Sequence, residues 1–316
     1  MDFEAVIRDT FGQFLGRNAC YYAIAAIGLN VQFGYTGLLN FGQAAFMAAG
    51  AYGLGMTSGA VLGWPLWAGV FLGVAFSIVL GLIMGVPTLR LRADYLAIVT
   101  IAAAEVVRLC VRSVKFKGAF GGTDGLQGFA SGFQQIGVDI GLQPSKNYGF
   151  WAFQFSGKDL WVLLVGWSLA ALFGLIVYLL MKSPWGRVLK AIREDEDGVR
   201  SLGKNVFSYK MQALILGGVI GTFGGMILAL GTANVQPDNY SRDLTFFVLT
   251  GLVLGGVAKV SGSIVGPMLF WAIYAFLSSF LRQLVDKPWR IGDTTIMEST
   301  DIGAVVFMVM GLLLVA

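Results

Sequence analysis

The chain has 316 residues, of which 56% are hydrophobic and only 13% charged, and its mean hydropathy of +0.74 lies far outside soluble composition. It contains no histidine, which excludes Ser-His-Asp and Cys-His nucleophile arrangements and His-based zinc sites, so no catalytic residues, no metal site and no enzyme are expected. The net charge of +4 comes from basic residues scattered along the chain and gathered in one loop, with no basic face interleaved with aromatics, and nucleic acid is not an expected partner.

In chain order, residues 1–17 form an N-terminal segment carrying Asp2, Glu4, Arg8, Asp9 and Arg17. This is not the basic leader of a cleaved signal peptide, so the first apolar segment is expected to remain as a helix. Everything from 18 to 316 reads as one membrane domain. Between Arg17 and Arg90 there is no charged residue, room for about three crossings, with Gly34–Gly37 and Gly59–Pro65 as connections. Within that run Gly69, Gly73, Ser77, Gly81 and Gly85 recur every fourth residue, a ridge without side chains against which another helix can pack closely. A further helix starts at Asp94 and carries Glu105, Arg108 and Arg112 late. Glu105 lies about 16 Å along it, where a lone carboxylate is costly, and Arg108 three residues on is expected to form a structural ion pair with it.

Residues 114–158 form a long polar loop, of which 128–158 match no recognised pattern. Uncharged runs then follow from Asp159 to Lys182, Lys210 to Asp238, Asp243 to Lys259, Lys259 to Arg282, and beyond Asp301. The whole predicts an all-α, multi-pass helical membrane protein with about nine spans, in a range of eight to ten, tightly packed through glycine and including broken or re-entrant segments. Gly217, Gly221 and Gly225 repeat the spacing of small residues, and Thr36-Gly37-Leu38 is echoed by Thr250-Gly251-Leu252. Trp64, Trp67, Trp161 and Trp289 near span ends read as interface anchors. Cys20 and Cys110 sit in apolar stretches without a second sulfur at ligand spacing.

The densest basic loop runs from Lys182 to Lys210, and the positive-inside rule places it in the cytoplasm, with Arg90, Arg92 and Lys259. Residues 114–158 and the N-terminus are then external. Pro184 can open a short helix on which Val188, Leu189 and Ile192 share one face, flanked by Arg187, Lys190 and Arg193, suited either to lipid headgroups or to a docking partner. Gly198 to Lys204 spells G-x-x-x-x-G-K, but Asn205 stands where Ser or Thr would hold magnesium and no strand precedes it, so nucleotide binding by this chain is not expected. Asn239-Tyr240-Ser241 reads as an incidental tripeptide.

The run Ser183-Pro184-Trp185-Gly186-Arg187-Val188-Leu189-Lys190-Ala191-Ile192-Arg193-Glu194-Asp195-Glu196, followed by Leu202-Gly203-Lys204-Asn205-Val206, resembles the coupling loop of branched-chain amino acid ABC importer permeases of the LivM type. Gly28-Leu29-Asn30, Gly34–Gly37, Phe41–Phe46, Leu89–Thr100, Gly121-Gly122, Gly125-Leu126, Gly255-Gly256, Gly262 and Gly266-Pro267 continue the likeness over nearly the whole chain. Asp197-Gly198-Val199 departs from the family pattern and should weaken that stretch as a helix.

The resemblance implies a permease subunit in the bacterial cytoplasmic membrane, paired with a second homologous permease, two cytoplasmic ATPases and an external substrate-binding protein. ATP and magnesium would be bound by the ATPases and no cofactor by this chain. Within the cytoplasmic loop 182–206, the resemblance implies coupling to an ATPase through Gly186, Arg187, Val188, Leu189, Ala191, Ile192, Arg193, Glu194, Asp195 and Gly203, with the apolar face buried in the ATPase. A weakly specific path fits a lining of Asn30, Gln32, Thr36, Asn40 and Gln43. The substrate is left open among branched-chain amino acids, other amino acids, urea and short amides. The competing class is an ion-coupled secondary transporter or channel, for which Glu105 alone offers an intramembrane carboxylate.

Overall fold

The computed structural model describes residues 3–57, 61–89, 93–150, 153–284, 289–291, 294–297 and 302–315. Its helices are α1 (Phe3–Phe14), α2 (Arg17–Leu29), α3 (Gln43–Met56), α4 (Leu66–Thr88), α5 (Ala93–Arg112), α6 (Lys117–Phe120), α7 (Ser131–Asp139), α8 (Gly157–Lys182), α9 (Pro184–Glu194), α10 (Glu196–Ser201), α11 (Val206–Thr232), α12 (Arg242–Gly255), α13 (Val260–Leu284) and α14 (Ile302–Val315). The α2 helix runs on into a π-helical stretch over Asn30–Tyr35. The expected Arg90 and Arg92 lie outside the described residues, as does the side chain of Trp289.

Four helices, α4, α8, α11 and α13, are each long and apolar enough to cross a membrane. Of the other expected spans, α5 is 20 residues long but carries Asp94, Glu105, Arg108 and Arg112, and the rest are shorter or interrupted. The uncharged run after Arg17 yields α4 as one unbroken span, whereas α2 changes to π geometry and α3 starts only at Gln43, after a non-helical stretch. At 14 residues, α3 and α12 are each about 21 Å long, short of a core of about 30 Å.

The interior is built on α2, α3 and α11. Both α2 and α3 are apolar on all sides and almost wholly buried, as a helix in the middle of a bundle must be. Glycine sets their separation. A Cβ on Gly28 would fall 2.3 Å from the carbonyl oxygen of Gly217, and one on Gly217 would fall 2.4 Å from that of Gly28, so the α2 and α11 backbones touch directly. The ridge expected on α4 is present: Gly69, Gly73, Ser77, Gly81 and Gly85 are all buried, while Phe71, Val79 and Ile83 between them are exposed. The echoed tripeptides do not share a geometry, because Thr36 and Gly37 close the π stretch and Thr250–Leu252 lie inside α12.

Residues 113–150 and 153–156 form a folded cap. It carries α6, α7 and an antiparallel hairpin of 147–150 with 153–156, and Leu126 pairs with Val235. The α7 helix is fastened by Trp161, whose Nε1 donates to the Phe133 carbonyl at 2.9 Å. Lys117 donates to Asp124 at 2.7 Å, and this hydrogen bond holds the Asp124 carboxyl below its ordinary pKa. Cys20 is buried and Cys110 exposed, both free thiols. Of the expected anchors, Trp64 and Trp67 are exposed, and Trp161 is packed against Phe133.

The helix ends fall into two groups. Arg17 pairs with Asp159 at 3.2 Å and donates to the Gly231 carbonyl at 2.7 Å, joining the start of α2, the start of α8 and the end of α11. At the other group, the π stretch meets α9 through Gly34 and the α12–α13 turn through Asn30.

Candidate functional site

The loop after α8 turns sharply into α9. Pro184 occupies the first helical turn, where its missing N–H is no loss, and a Cβ on Gly186 would lie 2.5 Å from the Met181 backbone, so only glycine fits the corner. The α9 helix is strongly amphipathic, as its sequence predicts, but its apolar face is already occupied. Leu189 is 0% and Ile192 4% exposed within this chain, and Val188 is packed against the same core. The expectation that this face is buried in a partner is therefore corrected, because an apolar face one chain has covered cannot also be covered by another.

The outward surface is charged: Arg187, Lys190, Ala191, Glu194 and Asp195 are exposed, and Leu202 and Gly203 extend it. The stretch expected to be weakened by Gly198 is nonetheless helical, as α10, because Asp195 caps it by accepting from the Gly198 N–H at 3.0 Å. Glu196 further ties α10 to α11 through an ion pair with Lys210.

Arg193 is exposed but already has a partner in this chain: its Nη1 donates to the Gly34 carbonyl at 2.5 Å, and Lys190 lies 5.7 Å over the Tyr35 ring. The α9 helix is thereby clasped to the end of the π stretch, where carbonyls lack helical partners.

The residues expected to line a path come together in the interior at this break. Asn30, Gln32, Thr36, Asn40 and Gln43 are all at most 3% exposed. Asn30 Oδ1 accepts from the Ala258 N–H at 2.9 Å, and its Nδ2 donates to the Lys259 carbonyl at 3.0 Å. Gln32 donates to the Leu214 carbonyl of α11 at 2.9 Å and accepts from Asn40 Nδ2 at 2.8 Å. Asn40 Oδ1 accepts from the Gly42 N–H at 2.8 Å, and Thr36 donates to the Val31 carbonyl at 2.8 Å. Gln43 Nε2 reaches the Ala25 and Gly217 carbonyls, while its Oε1 has no partner among the described residues. In this structure these side chains bond backbone groups at the break and on the neighbouring helices, and one another. The same need explains two partners not expected from sequence: Thr100 accepts from the Phe41 N–H at 3.1 Å and Thr245 from the Ala44 N–H at 2.9 Å, at the start of α3.

Glu105 and Arg108 do pair, Arg108 Nε lying 3.0 and 3.1 Å from the two carboxylate oxygens. The pair sits in a larger cluster, in which Arg108 also bonds Asp238 at 2.8 Å and Arg112 bonds it at 3.2 Å. With Glu105 36% and Asp238 68% exposed within this chain, the cluster is a clamp between α5 and the 237–240 turn, and the Glu105 carboxylate is paired. Among the described residues no group of acidic, cysteine or histidine side chains is placed to hold a metal ion.

Residues 14–316 match the family model described as branched-chain amino acid transport system / permease component. The chain is 31% identical over 252 residues to the high-affinity branched-chain amino acid transport system permease protein LivM of Salmonella typhimurium, an alignment covering 78% of this chain and 59% of that protein. It is 26% identical to the probable branched-chain amino acid transport permease protein LivM of Methanocaldococcus jannaschii, covering 82% of this chain and 79% of that one. The permease protein LivH of Salmonella typhimurium is 24% identical, with 82% of each chain covered. The aligned region thus spans under two thirds of the length of the Salmonella LivM.

Proposed function

Because the chain belongs to the branched-chain amino acid transport system permease family, we propose that it is the membrane permease subunit of an ABC importer carrying branched-chain amino acids into the cell. It works beside a second, homologous permease, since proteins named LivM and LivH in one organism are both similar to it. Two cytoplasmic ATPases, which bind ATP and magnesium, and an external binding protein complete the assembly in the cytoplasmic membrane.

The chain crosses nine times, through α2, α3, α4, α5, α8, α11, α12, α13 and α14, with the N-terminus, the 113–156 cap and the Arg17–Asp159 pair outside. The loop 182–206 and the α12–α13 turn lie inside. The α9 helix is the coupling element, presenting Arg187, Lys190, Ala191 and Glu194 to an ATPase while Leu189 and Ile192 hold it to the permease. Asn30, Gln32, Thr36, Asn40 and Gln43 fasten the broken helices that the change between outward and inward access rearranges. The observation carrying this reading is the Arg193–Gly34 clasp, which joins a charged, outward-facing helix directly to the break in the central one.

The test is uptake of labelled leucine into vesicles containing the assembled complex, combined with a cysteine at Ala191. ATP-dependent uptake is expected, with a crosslink to the ATPase whose yield changes when ATP binds. Uptake driven by a proton or sodium gradient without ATP would move the chain to the ion-coupled carriers.

A further inference from the structure

At the ends of helices where Arg17 meets Asp159, α1, α2, α8, α13 and the 147–156 hairpin surround a cleft of about 640 Å³. That volume is within the range of small-molecule sites. Its charged lining is Arg8, Arg17 and Arg282 against Asp9 and Asp159, which leaves one positive charge in excess. Two of the arginines are uncommitted. Arg17 is held by Asp159 and the Gly231 carbonyl, but Arg8 and Arg282 have no ion-pair partner among the described residues. A donor is also idle lower down, where Trp271 lines the cleft and its Nε1 is buried without a hydrogen-bond partner among the described residues. The cleft follows α13 from Arg282 to Trp271, about 16 Å along the helix axis.

The helices that bound the cleft also carry apolar residues on faces turned away from it: Phe3 and Ile7 of α1 are 59% and 40% exposed and Phe276 of α13 is 44% exposed, surfaces suited to lipid. A phosphodiester carrying one negative charge neutralises the excess and offers two guanidiniums forked acceptors, while its acyl chains leave the cleft for the apolar outer faces of α1 and α13. Asp9, which accepts from Ser279 at 3.2 Å, is at hand for headgroup hydroxyls. We propose that this cleft is a binding site for the headgroup of an anionic phospholipid, of the phosphatidylglycerol class, on the face proposed as external.

The experiment uses the assembled complex in bilayer discs of phosphatidylcholine with graded phosphatidylglycerol, followed by detergent extraction and native mass spectrometry. The unaltered complex is expected to retain phosphatidylglycerol at least tenfold over phosphatidylcholine, and Arg8→Gln with Arg282→Gln to lose that preference. Both side chains are exposed, so packing is not disturbed, and an unchanged gel-filtration profile checks this. Arg8→Lys with Arg282→Lys is expected to keep most of the retention. Equal retention of the two lipids, or full retention by the glutamine variant, overturns the proposal. Displacement of the retained lipid by free leucine or inorganic phosphate at millimolar concentration would assign the cleft to a soluble anion and overturn it as well.

Discussion

Ala258 holds a left-handed backbone, with φ of 62°, where a Cβ is unfavourable by about 1–2 kcal/mol. Its N–H is the one accepted by Asn30, so a strained turn between α12 and α13 is held by an amide from α2. Replacing Asn30 with Leu removes both hydrogen bonds and leaves backbone groups unsatisfied, and is expected to cost about 2–4 kcal/mol. Ala258→Gly relieves the strain and is expected to raise stability by about 1 kcal/mol. Thermal unfolding of the purified protein in detergent checks both signs. A polar residue in an apolar run announces that its polar atoms are used, but not for what. Asn30, Gln32 and Asn40 therefore read from sequence as path lining, while the partners the structure gives them, backbone atoms and one another, are brought close only by folding.

The same distinction governs whole elements. The small-residue ridge of α4 was fully legible, because a spacing of four needs only the helical period to place Gly69 through Gly85 on one face. The amphipathic character of α9 was legible for the same reason, but an apolar face does not name the surface that covers it. Leu189 and Ile192 turn out to be worth about 2 kcal/mol each to this chain's own fold. Ile192→Asp is accordingly expected to lower the yield of folded permease, whereas Lys190→Glu, on the exposed face, should leave the fold intact and reduce transport-coupled ATP hydrolysis. Gel filtration together with ATPase assays separates the two outcomes. The π stretch and the late start of α3 were hidden, since Asn30–Tyr35 carries no proline and its glycine and polar residues are equally suited to a loop.

At the scale of the molecule, the pairing of distant ends fixes which loops share a side. Arg17, Asp159 and Gly231 meet at one end and Gly34, Arg193 and Lys259 belong to the other, so one labelled loop orients all. Ser201 and Ser131 are both exposed, and single cysteines there are expected to react with impermeant reagents from inside and outside respectively. Cys110 must be replaced first because it too is exposed, and labelling of Ser201 from outside would invert the topology. Charge density in 182–210 was enough to suggest this orientation, but residues 128–158 gave no hint of a folded cap, whose contacts such as Trp161 to Phe133 join segments far apart in sequence.

The π run has a geometric consequence for the clasp at its end. Such a run holds one residue more than the i→i−4 ladder admits, so tightening it into ordinary α-helix would rotate Gly34 by about 100° about the axis of α2. Its carbonyl would swing off Arg193. The guanidinium and the helical register are thus interlocked as a latch and bolt: Leu189 and Ile192 keep α9 seated, but the Arg193 bond to the central helix persists only while the extra residue stays in place.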